Sequence, residues 1–304
     1  MRTSKAIGLY AVAVVLLGAL LAPWLFWTLQ TLVAHVPAVG SLARQPFHRI
    51  FDRAILIVAF AGLWPLLHSV GFRSWSDLGF VKADGGWRHV LVGFALGLGS
   101  FALLIIIEVG MGSRSVNFDK STAQMTGAVL RFLVTGIVVA LIEETFFRGA
   151  LQGALQRGMN VVAAVIVASV IYSALHFVKP TRVNIPADQV AWSSGLACLS
   201  GSVTRSIGER DILVGFVTLF LAGCILGLAY ARTRALYLSI GLHAGWVLAN
   251  ELARWLGAYQ IIEDKAAWPV LAVLLALVAW LCRNKLKPLR APELSSSGGV
   301  APAI

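Results

Sequence analysis

Apolar residues in this chain neither alternate nor keep to one helical stripe. They run on, in stretches of about the 20 residues that a helix needs to cross a hydrocarbon core. Such runs occupy Ala6 to Val36, Ala54 to Val70, His89 to Gly110, Gln124 to Ile142, Asn160 to Val178, Ile212 to Tyr230, Leu236 to Leu256 and Ala267 to Cys282. A helix satisfies every backbone amide within its own segment, which an open sheet edge in lipid does not. The pattern therefore predicts an all-α, polytopic integral membrane protein with about eight transmembrane helices. An even number puts both termini on one side.

The breaks refine this picture. Arg2 and Lys5 precede the first run as in a signal peptide, but the run is too long and lacks a convincing small-residue cleavage site. It is expected to remain as the first span. Between Lys179 and Asp211, Pro180, Pro186 and the Ser/Gly-rich stretch Ser193 to Ser202 predict a re-entrant or interfacial segment, or a flexible loop. After Pro292 the composition predicts a disordered tail. Basic residues divide almost evenly between the two sides, but Arg232 and Arg234 in one short turn and Arg283, Lys285, Lys287 and Arg290 in the tail favour a cytoplasmic C-terminus. The localisation expected is the cytoplasmic membrane, with both termini inside.

Composition agrees with this reading and removes others. Of the 304 residues 58% are hydrophobic and 13% charged, too few charges to cover a water-facing surface. The net charge of +11 comes from scattered interfacial positions, not from a basic cluster with exposed aromatics, so no nucleic acid is expected as a partner. Cys198, Cys224 and Cys282 lie far apart and read as packing residues. Gly93 and Gly97, Gly149 and Gly153, Gly223 and Gly227, and Gly241 and Gly245 form small-xxx-small pairs, which predict close helix packing.

Candidate chemistry begins at Glu143, Glu144 and Arg148, because an ionised side chain at the end of an apolar helix is costly unless paired. Glu144 and Arg148 are four apart with the acid first, the favourable order for a pair, whereas Glu143 is turned about 100° away. A partly desolvated carboxylate beside a second acid is suited to take a proton from water. The bland alternative makes both acids surface anchors, paired with Arg148 and Arg157. Taken singly, His176, one turn after Tyr172, reads more readily as a histidine bonded to a neighbouring helix than as a catalytic one, and His243 also sits among apolar and small residues. Two acids, an arginine and two histidines on three spans of so weakly charged a chain nonetheless point to one intramembrane site. His-Glu-x-x-His, Gly-x-Ser-x-Gly, phosphate-loop and dinucleotide motifs are absent from the sequence.

The order Glu143-Glu144-Thr-Phe-Phe-Arg148, then Tyr172-Ser-Ala-Leu-His176, then His243 resembles the CPBP family of membrane proteases. That family includes the type II CAAX prenyl endopeptidases and bacteriocin-processing and self-immunity proteins. The resemblance covers roughly Gln124 to Leu256. It divides the chain into N-terminal spans without a matched motif (1–123), a CPBP-like core (124–256), a last span with its basic flank (257–290) and the tail (291–304). It implies that Glu143 and His176 activate the hydrolytic water, that His243 with a partner stabilises the oxyanion, and that Glu144 with Arg148 braces the site. The implied substrate is a membrane-embedded or lipid-anchored protein or peptide, met at the lipid bilayer.

Two positions depart from the family pattern. Tyr172 stands where Phe is usual, and Val247 stands where the family has Asn or Asp four residues after the histidine. A valine side chain donates no hydrogen bond. Asn250 lies about 10 Å along the axis from His243, whereas Trp246 lies one turn away and carries an indole donor, making it the expected substitute. No cofactor is favoured, because the ligand spacing that preorganises zinc is missing and Arg148 opposes a dication. A zinc set of Glu143, His176 and His243 stays open.

Two further functional readings compete with the endopeptidase. Val247 motivates a non-catalytic scaffold or self-immunity protein on the same fold. A proton-coupled transporter would use the Glu and His residues as a relay, but the halves show no convincing self-similarity. Of the remaining membrane-proximal acids, Glu108 is expected at the interface, and Glu251 is expected to pair with Arg254.

Overall fold

The computed structural model describes residues 2–69, 71–82, 84–117, 119–177, 185–200, 212–257, 265–286 and 288–289. The expected tail lies outside the described residues, as do 178–184 and 201–211 of the long connection. Among the described residues there are eight long helices and no strand. They are α1 (Arg2–Leu32), α2 (Phe47–Ser69), α3 (Gly86–Gly110), α4 (Thr122–Glu144), α5 (Val161–Phe177), α6 (Ile212–Thr233), α7 (Tyr237–Trp255) and α8 (Ala267–Asn284). Each falls on a predicted apolar run.

Six of these segments are long and apolar enough to cross a membrane: Gly8–Leu32, Phe47–Ser69, Gly86–Gly110, Thr122–Leu155, Leu213–Thr233 and Ala267–Asn284. The chain is an all-α polytopic membrane protein. The two helices that miss the criterion carry the two motif histidines. α5 stops at 17 residues. α7 is interrupted by His243, Asn250, Glu251 and Arg254 and buries eleven of its 19 residues, so its apolar side chains face protein.

The helices divide into two compact units that interleave along the sequence. One comprises Met1–Arg73 and Ile171–Val217, the other Ser74–Val170 and Thr218–Ile304. The 124–256 segment contributes to both.

In the first unit α1 packs on α2 around Ala19, Phe26, Phe47, Ile50, Phe51 and Ala54. Part of the long connection joins this core. Residues 194–200 form a short helix, Val190 and Cys198 are buried, and a Cβ on Gly195 would overlap the Ala19 carbonyl. The described part of the connection is therefore a packed element, not the flexible loop its Ser/Gly content suggested. Burial, reinforced by Asp52, pushes the Cys198 thiol up to about 11 and keeps it protonated, as a packing residue should be.

In the second unit α7 is the central helix, packed against α3 and α4. Glycine makes that possible. A Cβ on Gly97 would overlap the Leu242 carbonyl, and one on Gly241 would overlap the Val90 carbonyl. The pairs Gly93/Gly97 and Gly241/Gly245 therefore face each other, and Gly136 brings α4 close to Ala244, whose carbonyl would stand 2.8 Å from an added Cβ. Backbone lies on backbone along this seam, the arrangement that small-xxx-small pairs permit.

Overpacking usually costs about 1–3 kcal/mol and more where the neighbour is backbone. Gly97→Leu is expected to lose at least that much stability in a detergent-based denaturant titration. Gly99→Ala, whose added Cβ meets nothing within 4 Å, should be no less stable than the parent. Equal midpoints for the two variants would contradict the seam.

Candidate active site

α4 does not end at Glu144. It widens into a π-helix over Thr145–Gln152 before Gly153–Leu155. A π segment shifts the facing of the residues within it, and such segments are often found at functional sites. Here six consecutive residues, Phe147 to Gln152, are buried. Arg148 and Gln152 both reach backbone carbonyls of α6: Arg148 Nη2 donates to Gly223 O at 3.4 Å, and Gln152 Nε2 to Gly227 O at 2.9 Å. The Gly223/Gly227 pair leaves those carbonyls uncovered, and a Cβ on Gly227 would come within 2.8 Å of Gln152 Oε1.

Glu144 is the centre of the cluster, and it has no exposed surface. Its Oε1 accepts from Arg148 Nη1 at 3.1 Å and from His243 Nδ1 at 2.8 Å. The Ser239 hydroxyl, one turn before His243, also bears on this carboxylate. The pair predicted between Glu144 and Arg148 is present, and both partners are buried.

The geometry also sets the tautomer of His243. Because Nδ1–H points at a carboxylate, the lone pair of the neutral ring lies on Nε2. That nitrogen stands 3.8 Å from Glu143 Oε2. Glu143 is the more open acid, with 27% of its side chain exposed. The structure thus brings together Glu143, Glu144, Arg148 and His243, and gives the two acids different surroundings.

His176 and Tyr172 belong to the first unit. There His176 Nδ1 donates to the Tyr172 carbonyl at 2.8 Å, and the two rings stack at a tilt, 4.4 Å between centroids. A carbonyl only accepts, so the neutral His176 ring also carries its lone pair on Nε2.

The remaining predicted positions lie elsewhere. Trp246, expected to supply a spare donor, gives its indole N–H to Ser100 Oγ of α3 at 3.0 Å. Val247 and Asn250 are half-buried. Glu251 pairs with Arg254 at 3.3 Å, as the spacing predicted. Glu108 is 1% exposed and ion-paired with Arg114, which returns to it across the turn after α3.

Among the described residues no three His, Cys, Asp or Glu side chains converge on a point where they could share a metal ion. In the second unit, the Glu144 oxygen nearest His243 already accepts from Nδ1 and from a guanidinium, which does not fit a dication site. Gln152, Ser239 and Ser100 were missed by sequence reasoning. For Gln152 a signal was present, since it lies four residues after Arg148, as Gly227 does after Gly223.

An acid, an imidazole and a second acid that fixes the imidazole, all held inside a polytopic helical protein, define a membrane protein equipped for acid–base chemistry. Residues 125–249 match the family model described as "Type II CAAX prenyl endopeptidase Rce1-like", over the same segment that resembles the CPBP family in its motifs. The matched segment contains Glu143, Glu144, Arg148, Tyr172, His176, His243, Trp246 and Val247. Comparison with curated proteins and with solved structures gave no match.

Removing one partner of a buried ion pair leaves the other charge without compensation, a loss of about 3–5 kcal/mol. Arg148→Leu should therefore lower the denaturation midpoint strongly. Combining it with Glu144→Gln should recover part of the loss. An Arg148→Leu protein as stable as the parent would remove Glu144 from the centre of this account.

Proposed function

We propose that the chain is an intramembrane endopeptidase that hydrolyses a peptide bond in a membrane-embedded or lipid-anchored protein or peptide. The observation that carries this reading is the 3.8 Å separation of Glu143 Oε2 and His243 Nε2, with Glu144 fixed behind the imidazole. That distance is too long for a direct hydrogen bond, but it sets an acid and an imidazole nitrogen close enough to act on the same reacting groups.

In this reading Glu143 takes the proton of the attacking water, and His176 keeps the role its motif implies, assisting that activation through Nε2. As water adds to the scissile carbonyl, negative charge builds on the carbonyl oxygen. His243 in its protonated form stabilises that charge and is itself stabilised by Glu144 through Nδ1. Arg148 balances Glu144, and the proton on His243 Nε2 balances the ionised Glu143, so the cluster carries no unpaired charge before the reaction. The proton held by Glu143 then passes to the leaving amine. No step uses a metal ion, and the chemistry of the cluster supports a metal-free mechanism.

A second reading follows from Val247 and from the engagement of Trp246 with Ser100. With neither supplying a donor, the same scaffold would hold a substrate segment without cutting it.

The test is cleavage of a library of membrane-anchored peptides, some prenylated, by the purified chain. Glu143→Ala, His176→Ala and His243→Ala should each reduce turnover by at least about 100-fold, the scale of losing a general base or an oxyanion donor. A chelator should leave the parent active. Loss on chelation, restored by zinc, would move the mechanism to metal hydrolysis. A folded parent that cuts nothing, with activity appearing in Val247→Asn, would establish the scaffold reading.

A further inference from the structure

The second unit carries an apolar groove between α3 and α8, beside the glycine seam. Its volume is about 610 Å³, and it runs from Ala95 to Met111 on α3 and from Ala266 to Leu277 on α8. Both walls are segments apolar and long enough to cross a membrane. Leu103, Met111 and Val273 stand open on them, at 48%, 74% and 67% exposure. Ser100 is the one hydroxyl among the lining residues, and it is engaged twice: it donates to Gly97 O at 3.0 Å and accepts from Trp246 Nε1.

We infer that this groove holds one acyl chain of a bilayer phospholipid. Both walls belong to segments that face hydrocarbon, so water filling the groove would expose apolar wall to water and gain almost no hydrogen bonds. An α3 segment of this length rises about 24 Å, comparable to one acyl chain lying along the helix. The groove opens at Met111 and Ala266, where exposed Lys265 sits beside the rim and can meet a lipid phosphate.

The consequence reaches α7. The groove floor carries the Ser100–Trp246 hydrogen bond, and Trp246 lies one turn beyond His243. A chain in the groove keeps water from that bond and so helps to fix α7.

Gly99 gives a direct test, because it lines the groove and an added side chain there meets nothing within 4 Å. The full chain is delipidated in detergent and mixed at equal concentration with phosphatidylcholine bearing a photoactivatable acyl chain; the labelled residues are then mapped. Labelling should concentrate on residues 95–111 and 266–277. It should fall at least tenfold, about 1.4 kcal/mol of binding, in Gly99→Phe. Val273→Trp, which plugs the groove from α8, should act alike should Gly99→Phe fold poorly. Leu130→Phe, on the exposed face of α4, should label as the parent does. Labelling spread evenly over all spans, or unchanged by both plugs, would overturn the inference. So would displacement by free farnesol but not by excess unlabelled phosphatidylcholine, which would give the groove to an isoprenoid. The readout is lipid binding, so it is independent of whether any peptide is cleaved.

Discussion

A carboxylate with no solvent contact is a demanding object to keep inside an apolar helical protein, and the second unit is organised around the one at Glu144. Desolvation costs the ion several kcal/mol, which only close, well-directed partners offset. Arg148 supplies charge from the next turn, and His243 supplies a hydrogen bond from another helix. Each partner is fixed in turn. Arg148 also binds an α6 carbonyl, while His243 sits on a helix whose backbone is pressed against α3 and α4. Glu143 keeps partial exposure and stands 3.8 Å from the other nitrogen of the same imidazole. The two adjacent acids are thereby separated in role by their surroundings.

The glycine seam is what allows α7 to serve as the inner helix. Polar residues on a lipid-facing helix would be a liability, yet α7 carries His243, Ser239 and Asn250. Bringing α3 and α4 into backbone contact with it encloses those residues in protein. The same close approach limits adjustment, because a helix held by backbone-to-backbone contact cannot slide without breaking several contacts together. A histidine on such a helix is preorganised, which is the property electrostatic stabilisation of a developing oxyanion requires.

Much of this was legible in the sequence because helices in lipid announce themselves by apolar length. All eight long helices fall on the predicted runs, the Glu144–Arg148 pair followed from four-residue spacing, and two of the glycine pairs meet across α3 and α7. What stayed hidden depends on neighbours distant in sequence or on subtle helical phase. A run of leucine, alanine and glycine reads the same whether it faces lipid or protein, so α7 was taken for an ordinary crossing. An eight-residue π segment is too short for its period to be told from that of an α-helix. The pairing of Glu108 was hidden because its partner, Arg114, approaches only after the chain turns back. The Trp246 indole looked available because Ser100, its acceptor, lies 146 positions away in sequence.

That last contact bears on how α7 departs from the family pattern. An Asn or Asp at position 247 would lie on the His243 face of the helix and add polar capacity there. This chain has valine at that position and, next to it, an indole bonded to α3. The polar contact of this stretch lies on the α3 face of α7, where the indole N–H is committed to Ser100. Under the proposed mechanism this leaves His243 as the principal donor for an oxyanion. On that proposal the Glu144–His243 bond matters more here than in a protein with two donors, because it alone orients the imidazole that faces the developing charge.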